Sequence, residues 1–317
     1  MQLLLLHLDD ALELQSEFVR SCMMAGAHEL HEKESGRAVR LWGKQAALDD
    51  LYRSLSRSRS LSRGKRRLTF MGSGDFHHIS ALLLSIALED QTGPVTVVHI
   101  DNHPDWVHFS DGMHCGSWVN RALAHPQVAR VVTLGVCSDD LTSPERKGAN
   151  LDLLRGERLQ LFPYAHAPSR VKAQYGTGAS YEQKANALHW RCISEMGEQN
   201  FIERLLDSIE TESVYITVDK DALARCDALT NWDQGMMQMP YVLDLITQIG
   251  SRHRIIGADV TGDYSRPNYG GNLLTRALKH GEILLDQPLS APDRDETRNI
   301  NSAANHALLE VLAEQMQ

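Results

Sequence analysis

The sequence predicts a single-domain α/β protein spanning residues 1–317, a three-layer α/β/α arrangement around a mostly parallel sheet. Three observations predict it. Short β-branched or leucine-rich runs recur along the chain, and near-continuous apolar runs of strand length are what a sheet covered on both faces requires. Helical patterns lie between them, as right-handed crossovers between parallel strands demand. No internal repeat and no linker rich in Gly, Ser or Pro divides the chain.

The elements follow in order. Leu3-Leu4-Leu5-Leu6 reads as a first buried strand, and Ala11 to Met24 and Leu41 to Leu55 as helices. Leu68 to Met71 is a second strand, broken by Gly72-Ser73-Gly74, before a helix from Ile79 to Glu89. Val95-Thr96-Val97-Val98-His99-Ile100 is a third strand, followed by a helix over Trp118 to Ala124 and a strand over Val131 to Val136. Leu153 to Ser180, with its prolines and glycines, reads as long loops at the rim of the sheet. Helices are expected over Tyr181–Met196 and Phe201–Ile209, then a strand over Val214–Val218. A helix over Met239–Ile249 and a strand over Arg254–Val260 come next. The last helix, Asn301 to Glu314, carries Ala304, Leu308, Leu309 and Leu312 as a core-facing stripe.

Composition narrows the function classes. Hydrophobic residues make up 42% and charged residues 23%, the balance of a soluble protein with a sizeable core. With 32 basic and 41 acidic residues the net charge is −9, which argues against nucleic-acid or anionic-membrane partners. The one basic block, RSLSRSRSLSRGKRR over residues 53–67, reads as a solvated helix end and loop. The first residues are too short and too poor in basic residues for a signal peptide. No apolar run reaches the length of a membrane span. Five cysteines, odd in number and without a C-x-x-C pair, suit a reduced cytoplasm.

Ligands in open α/β sheets gather at the carboxyl ends of strands, and three such ends here carry polar clusters. Gly74-Asp75-Phe76-His77-His78 follows the second strand, and Asp101-Asn102-His103-Pro104-Asp105 the third. Asp219-Lys220-Asp221 follows the Val214 strand. Side chains at alternate positions of an extended chain point the same way. Asp101, His103 and Asp105 can therefore converge, as can Asp219 and Asp221, with Lys220 turned away. Mixed carboxylate and imidazole donors without thiolates suit two divalent cations, Mn²⁺ better than a structural Zn²⁺.

The order GDFHH, DNHPD and DKD resembles the G-G-D-H, D-x-H-x-D and D-x-D signatures of the arginase/agmatinase (ureohydrolase) family, from about Gly72 to Asp263. The resemblance implies an arginase/deacetylase-like fold, two Mn²⁺ per chain, a small-molecule substrate and a homo-oligomer. Laid on the family without a gap, it implies one ion held by His78, Asp101, Asp105 and Asp219. The other would be held by Asp101, His103, Asp219 and Asp221. It further implies a metal-bridging hydroxide, steadied by Asp105, that attacks a guanidino or amidine-type carbon. His114, in the Met113–Trp118 segment, would relay the proton. Cys115 beside it reads as a packing residue.

Departures from the family pattern fall on the substrate side. His77 stands where the family carries an aspartate, and Ala224-Arg225 replaces an Asp-Pro pair. The family's guanidinium-binding glutamate is missing from Val260–Ser265, where Asp263 could supply a charge only from a shifted position. Asn231 to Gly235 is either a pocket wall presenting Asp233 or an ordinary turn. Two rival readings stand beside the ureohydrolase: a deacetylase-like amide hydrolase using His77 and His78 as paired histidines, and an inactive binding protein of the same fold.

Overall fold

The apolar runs pair into one eight-stranded, all-parallel sheet in the computed structural model, which describes residues 1–60, 64–288 and 291–317. Its strands are β1 (Gln2–His7), β2 (His28–His31), β3 (Arg67–Phe70), β4 (Val95–Ile100), β5 (Val128–Leu134), β6 (Leu159–Phe162), β7 (Ser213–Asp219) and β8 (Arg254–Thr261). They lie in the order β2-β1-β3-β8-β7-β4-β5-β6. The longer helices are α1 (Ser16–Met24), α2 (Lys33–Val39), α3 (Gln45–Ser60), α4 (Ser80–Leu88), α5 (Trp118–Ala124), α6 (Glu198–Ser208), α7 (Met239–Arg252), α8 (Leu273–Asp286) and α9 (Arg294–Gln315).

Alternation along each strand divides the interior into two cores. Val98, Ile100, Val214, Ile216 and Val218 face α1, α6, α7 and α9, burying Phe18, Phe201, Val242 and Leu308. Val95, Val97 and Tyr215 face the other way, toward Leu48 and Leu55 of α3, Leu83 of α4 and Trp118 of α5. This is the three-layer arrangement that covered strands call for. The central strands β8, β7 and β4 carry the longest ladders, so their carboxyl ends are held on a rigid base.

Several elements differ from expectation for local reasons. Tyr181–Met196 is not one helix: Tyr181–Lys184 and Ala187–Trp190 form an antiparallel hairpin, and only Ile193–Met196 is helical. Ala185 takes a left-handed φ of 50° in the hairpin turn, and the buried Tyr181, Leu188 and Trp190 follow a period of two. The rim segment contains β6, an additional strand. Strand β2 and helices α2 and α8 also lie outside the predicted elements. Of the basic block, residues 53–60 end α3 and Arg59 pairs with Asp90 at 2.5 Å; Leu61, Ser62 and Arg63 lie outside the described residues. No helix among the described residues is long and apolar enough to cross a membrane.

Lys220 turns away from the clustered carboxylates, as alternation requires. It is fully buried, where its ammonium pairs with Asp263 and donates to Asn305 Oδ1 at 2.6 Å. Asn305 Nδ2 donates in turn to Asp263 Oδ2 at 3.1 Å, tying α9 to the ends of β7 and β8. Removing one partner of a buried ion pair strands the other charge. Lys220→Met is therefore expected to lower stability by about 3–5 kcal/mol, read from urea denaturation midpoints; an unchanged midpoint would refute the role of this pair.

Candidate metal centre

The loop after β3 closes into a 3₁₀ turn over Gly74–Ile79, capped by Ser73 Oγ accepting from the Asp75 amide at 3.3 Å. Three residues per turn separate successive side chains by about 120°, so His77 and His78 leave the turn in different directions. His77 enters the carboxylate cluster: its Nδ1 lies 2.9 Å from Asp101 Oδ2, 3.3 Å from Asp105 Oδ2 and 3.5 Å from Asp219 Oδ2. His78 does not. Its ring is fully buried and neither nitrogen finds a hydrogen-bond partner among the described residues. Burial, then the charges of His114 and Lys279, push its pKa well below the usual value. The structure therefore brings His77, and not the expected His78, among the carboxylates, and the two histidines do not pair.

Asp101 sits where β4 ends and faces two clusters. On one side His77, His99, Asp101 and Asp105 bring one donor atom each within 4.8 Å of one another. On the other side Asp101, His103 and Asp221 do the same, with His103 Nδ1 at 3.0 Å from Asp221 Oδ2 and 3.6 Å from Asp101 Oδ1. Strand alternation alone does not deliver Asp105. Its backbone adopts a left-handed φ of 50°, a conformation Asp tolerates better than most residues. Trp118 Nε1 then holds its carboxylate at 2.7 Å.

The hydrogen-bond partners set the tautomers. His77 Nε2 donates to Thr217 Oγ1 at 2.9 Å, whose hydroxyl donates to the buried Asp259 at 2.7 Å. His103 Nε2 donates to Asp233 Oδ1 at 2.8 Å. Both Nδ1 atoms are thereby turned inward, so that on loss of their protons they would present lone pairs to a cation, the orientation that second partners impose on metal-bound histidines. Among the described residues, buried His77 Nδ1 has no conventional hydrogen bond despite its ring of carboxylate oxygens. Gly74 makes room for Asp219, since a Cβ there would lie 2.7 Å from Asp219 Oδ2. Gly262, with a φ of +91°, does the same from β8. The donor set fits two divalent cations sharing Asp101.

The electrostatics point the same way. Burial, then the charge of Asp101, raises Asp105 and Asp219 to about 6. Burial, with Asp219 and Asp101, pushes Asp221 well above the carboxylate range. Burial also works against charging His77 and His103, but the surrounding carboxylates outweigh it and hold both well above the usual imidazole value. Without cations the cluster thus retains protons to offset its negative charge.

The clusters floor an open cleft of about 490 Å³ lined also by His114, Cys115, Asp139, Asp140, Lys147, Asp233 and three residues of α8, Glu282, Leu285 and Asp286. His114 Nδ1 accepts from the Gly116 amide at 2.9 Å and its Nε2 meets Glu282 Oε1 at 2.6 Å. Cys115 is buried, and burial first of all holds its thiol well above the usual value. Asp263 is not in the cleft: it lies behind β7, neutralised by Lys220, and cannot meet a substrate. Sequence reasoning missed His99, Thr217, Asp259, Trp118 and Glu282. For His99, the signal was its place two residues before Asp101 on one strand face. The other four come from separate elements and give no local pattern.

No family model matches the chain. An uncharacterised protein of Thermotoga maritima is 22% identical over 196 residues, 62% of this chain and 58% of that relative. Among solved structures, proclavaminate amidino hydrolase from Streptomyces clavuligerus superposes with a TM-score of 0.59 at 15% identity, covering 100% of this chain and 92% of that one. Formimidoylglutamase from Bacillus subtilis gives 0.61 at 15% identity, covering 99% and 86%. Arginase from Bacillus caldovelox gives 0.57 at 13%, covering 97% of each. The chain has the arginase-like fold and is divergent in sequence from these enzymes.

The raised carboxylate pKa values carry a sign that can be checked. A group whose folded pKa lies above its unfolded value stabilises below the unfolded pKa and loses that contribution as pH rises through the folded one. For Asp105 and Asp219 the interval runs from the ordinary 3.8 to about 6. Chain stripped of divalent cations should therefore lose stability over that interval, while Mn²⁺-loaded chain should gain it because protons compete with the ion. Urea melts of both forms across the interval test this; parallel slopes would refute it.

Proposed function

We propose that the chain is a metal-dependent hydrolase of C–N bonds, a divergent ureohydrolase acting on a cationic guanidino or related amidine compound with two Mn²⁺ ions. The observation that carries this reading is the pair of carboxylate–imidazole cages sharing Asp101 at the floor of an open cleft. His77, Asp101, Asp105 and Asp219 would hold one ion, and Asp101, His103, Asp219 and Asp221 the other. Hard oxygen and imidazole donors favour Mn²⁺. Bound there, two divalent ions lower the pKa of water enough to make it nucleophilic near neutral pH.

The chain's own residues supply the rest. Asp105, pinned by Trp118 Nε1 at 2.7 Å, would accept a hydrogen bond from the attacking water and orient it. His114 and Glu282 form a dyad at the cleft wall. The Gly116 amide occupies Nδ1, so the mobile proton resides between Nε2 and Glu282, available to the departing amine. Glu282 also faces the cleft as a carboxylate where the family's glutamate is missing from β8. Asp139, Asp140 and Asp286 add negative charge, against Lys147, which pairs with Asp140 at 3.2 Å. Such walls favour a cation over a carboxylate-bearing ligand.

Mn²⁺-loaded protein assayed against a panel of guanidino, formimino and acetylated amines, with urea, formamide and acetate each measured, should release the product of an amidino substrate. Acetate alone would sink the reading in favour of amide hydrolysis, and turnover by fully stripped protein would sink the metal chemistry. His114→Ala should reduce kcat by about 10²–10⁴-fold while leaving two ions bound. Glu282→Gln should weaken both kcat and KM, since it touches the dyad and the cleft together.

A further inference from the structure

We propose that His7, Glu29 and His31 form a separate Zn²⁺ site at the outer edge of the sheet, clamping strand β2 to β1. The three residues share one sheet face because the parallel register pairs His7 with His31 and Leu5 with Glu29. Glu29 and His31 thus occupy alternate positions near the carboxyl end of β2, the same device that presents the central carboxylates. Their donor atoms lie within 4.8 Å of one another. The two imidazoles stack with centroids 4.4 Å apart. His7 Nε2 stands 3.1 Å from Glu29 Oε1, close to the roughly 3.3 Å that separates neighbouring donors around a tetrahedral Zn²⁺ with bonds near 2.0–2.1 Å.

A buried nitrogen on the far side of the ring constrains the tautomer. His7 is only 1% exposed, and its Nδ1 has no hydrogen-bond partner among the described residues, although Glu13 Oε1 lies 3.8 Å away. If Nε2 carries the proton and donates to Glu29, the Nδ1 lone pair is left buried and faces a second carboxylate. If Nδ1 carries it, toward Glu13, then two lone-pair-bearing groups, Nε2 and Glu29, confront each other. A cation between Nε2, Glu29 and His31 resolves the conflict: Nδ1–H then points at Glu13, the arrangement in which a carboxylate orients a metal-bound histidine. Glu29 and His31 are open to solvent, so the ion has an entry path and water completes its shell. Two imidazoles with a carboxylate suit Zn²⁺, unlike the carboxylate-rich centre. Strands β3 and β8 separate β1 from β7, so this site is not part of the catalytic cleft.

The test uses the full chain, stripped with chelator and titrated with Zn²⁺ and with Co²⁺, as wild type, His31→Ala and Asp101→Asn. Asp101→Asn, disabled at the central clusters, should still bind one ion, and its Co²⁺ form should show the intense visible bands of four-coordinate cobalt. His31→Ala should lose that ion and those bands while keeping the ions of the central clusters. The Zn²⁺-dependent rise in Tm contributed by this site should vanish with it. A His31→Ala protein that binds as many ions as wild type, or a folded Asp101→Asn protein that binds none, would overturn the proposal. Circular dichroism of each variant, with Asp221→Asn as a second disabled centre, separates loss of a site from loss of the fold.

Discussion

Burying Asp101, Asp105, Asp219 and Asp221 within reach of one another is the constraint on which the rest of the structure depends. Like charges in a low-dielectric interior repel strongly, and no apolar packing offsets that. The fold meets the cost with groups that share one purpose. Burial works against the charged form of Asp101, but the imidazoles of His103, His77 and His99 around it outweigh burial and hold its pKa well below the usual range. Trp118 donates to Asp105, and the Asn102 amide donates to Asp221 at 3.0 Å. A protein with no use for concentrated negative charge would gain stability by replacing these residues. Gathered in one spot, with His77 and His103 turning Nδ1 inward, these residues make sense as a receptacle for cations.

The surrounding packing can be read as support for that receptacle. Asp75, two residues before His77, is itself buried and accepts from Arg40 Nε at 2.6 Å, Trp232 Nε1 at 2.9 Å and Gln287 Nε2 at 2.7 Å. These donors come from the α2 terminus, the loop after β7 and the end of α8. The 3₁₀ turn that aims His77 is thus anchored on three sides. Asp259, Thr217 and Ser80 perform the same service beneath it, with Ser80 Oγ donating to Asp259 at 2.8 Å. Such polar networks are favourable only when every member is satisfied, which ties the geometry of the centre to the integrity of the core around it.

How much of this was legible in the sequence follows from which interactions are local. The parallel sheet was readable because buried strands need apolar runs, and Val95–Ile100 was placed to the residue. Asp101, His103, Asp219 and Asp221 were readable because strand ends and alternate spacing are local properties. The choice between His77 and His78 was not, since it depends on whether the turn is 3₁₀ or α-helical, one residue of rotation that no side-chain pattern marks. The hairpin at Tyr181–Trp190 was misread because its alternating burial carries polar residues that also fit a helix. Asp263 was misplaced because its partner, Lys220, is itself an exception to the usual exposure of lysine.

Helix α8 shows why one wall of the cleft gave no signal in the sequence. An amphipathic helix ordinarily turns its apolar stripe inward. Here the only buried residue is Lys279, whose ammonium donates to the carbonyls of Ala38 and Trp42 at 3.1 and 2.8 Å and lies over the Trp42 ring. Leu273, Leu274, Leu278, Leu284 and Leu285 are exposed. The polar face is the one that meets the body of the protein, and it carries Glu282 to His114. A helix inverted in this way places its carboxylates over the cleft and contributes little to the core. The strand ends are bound by the electrostatics of the cations they would hold. Helix α8 is thus the wall that a ligand of the cleft would meet through Glu282, Leu285 and Asp286, opposite the carboxylates of the strand ends.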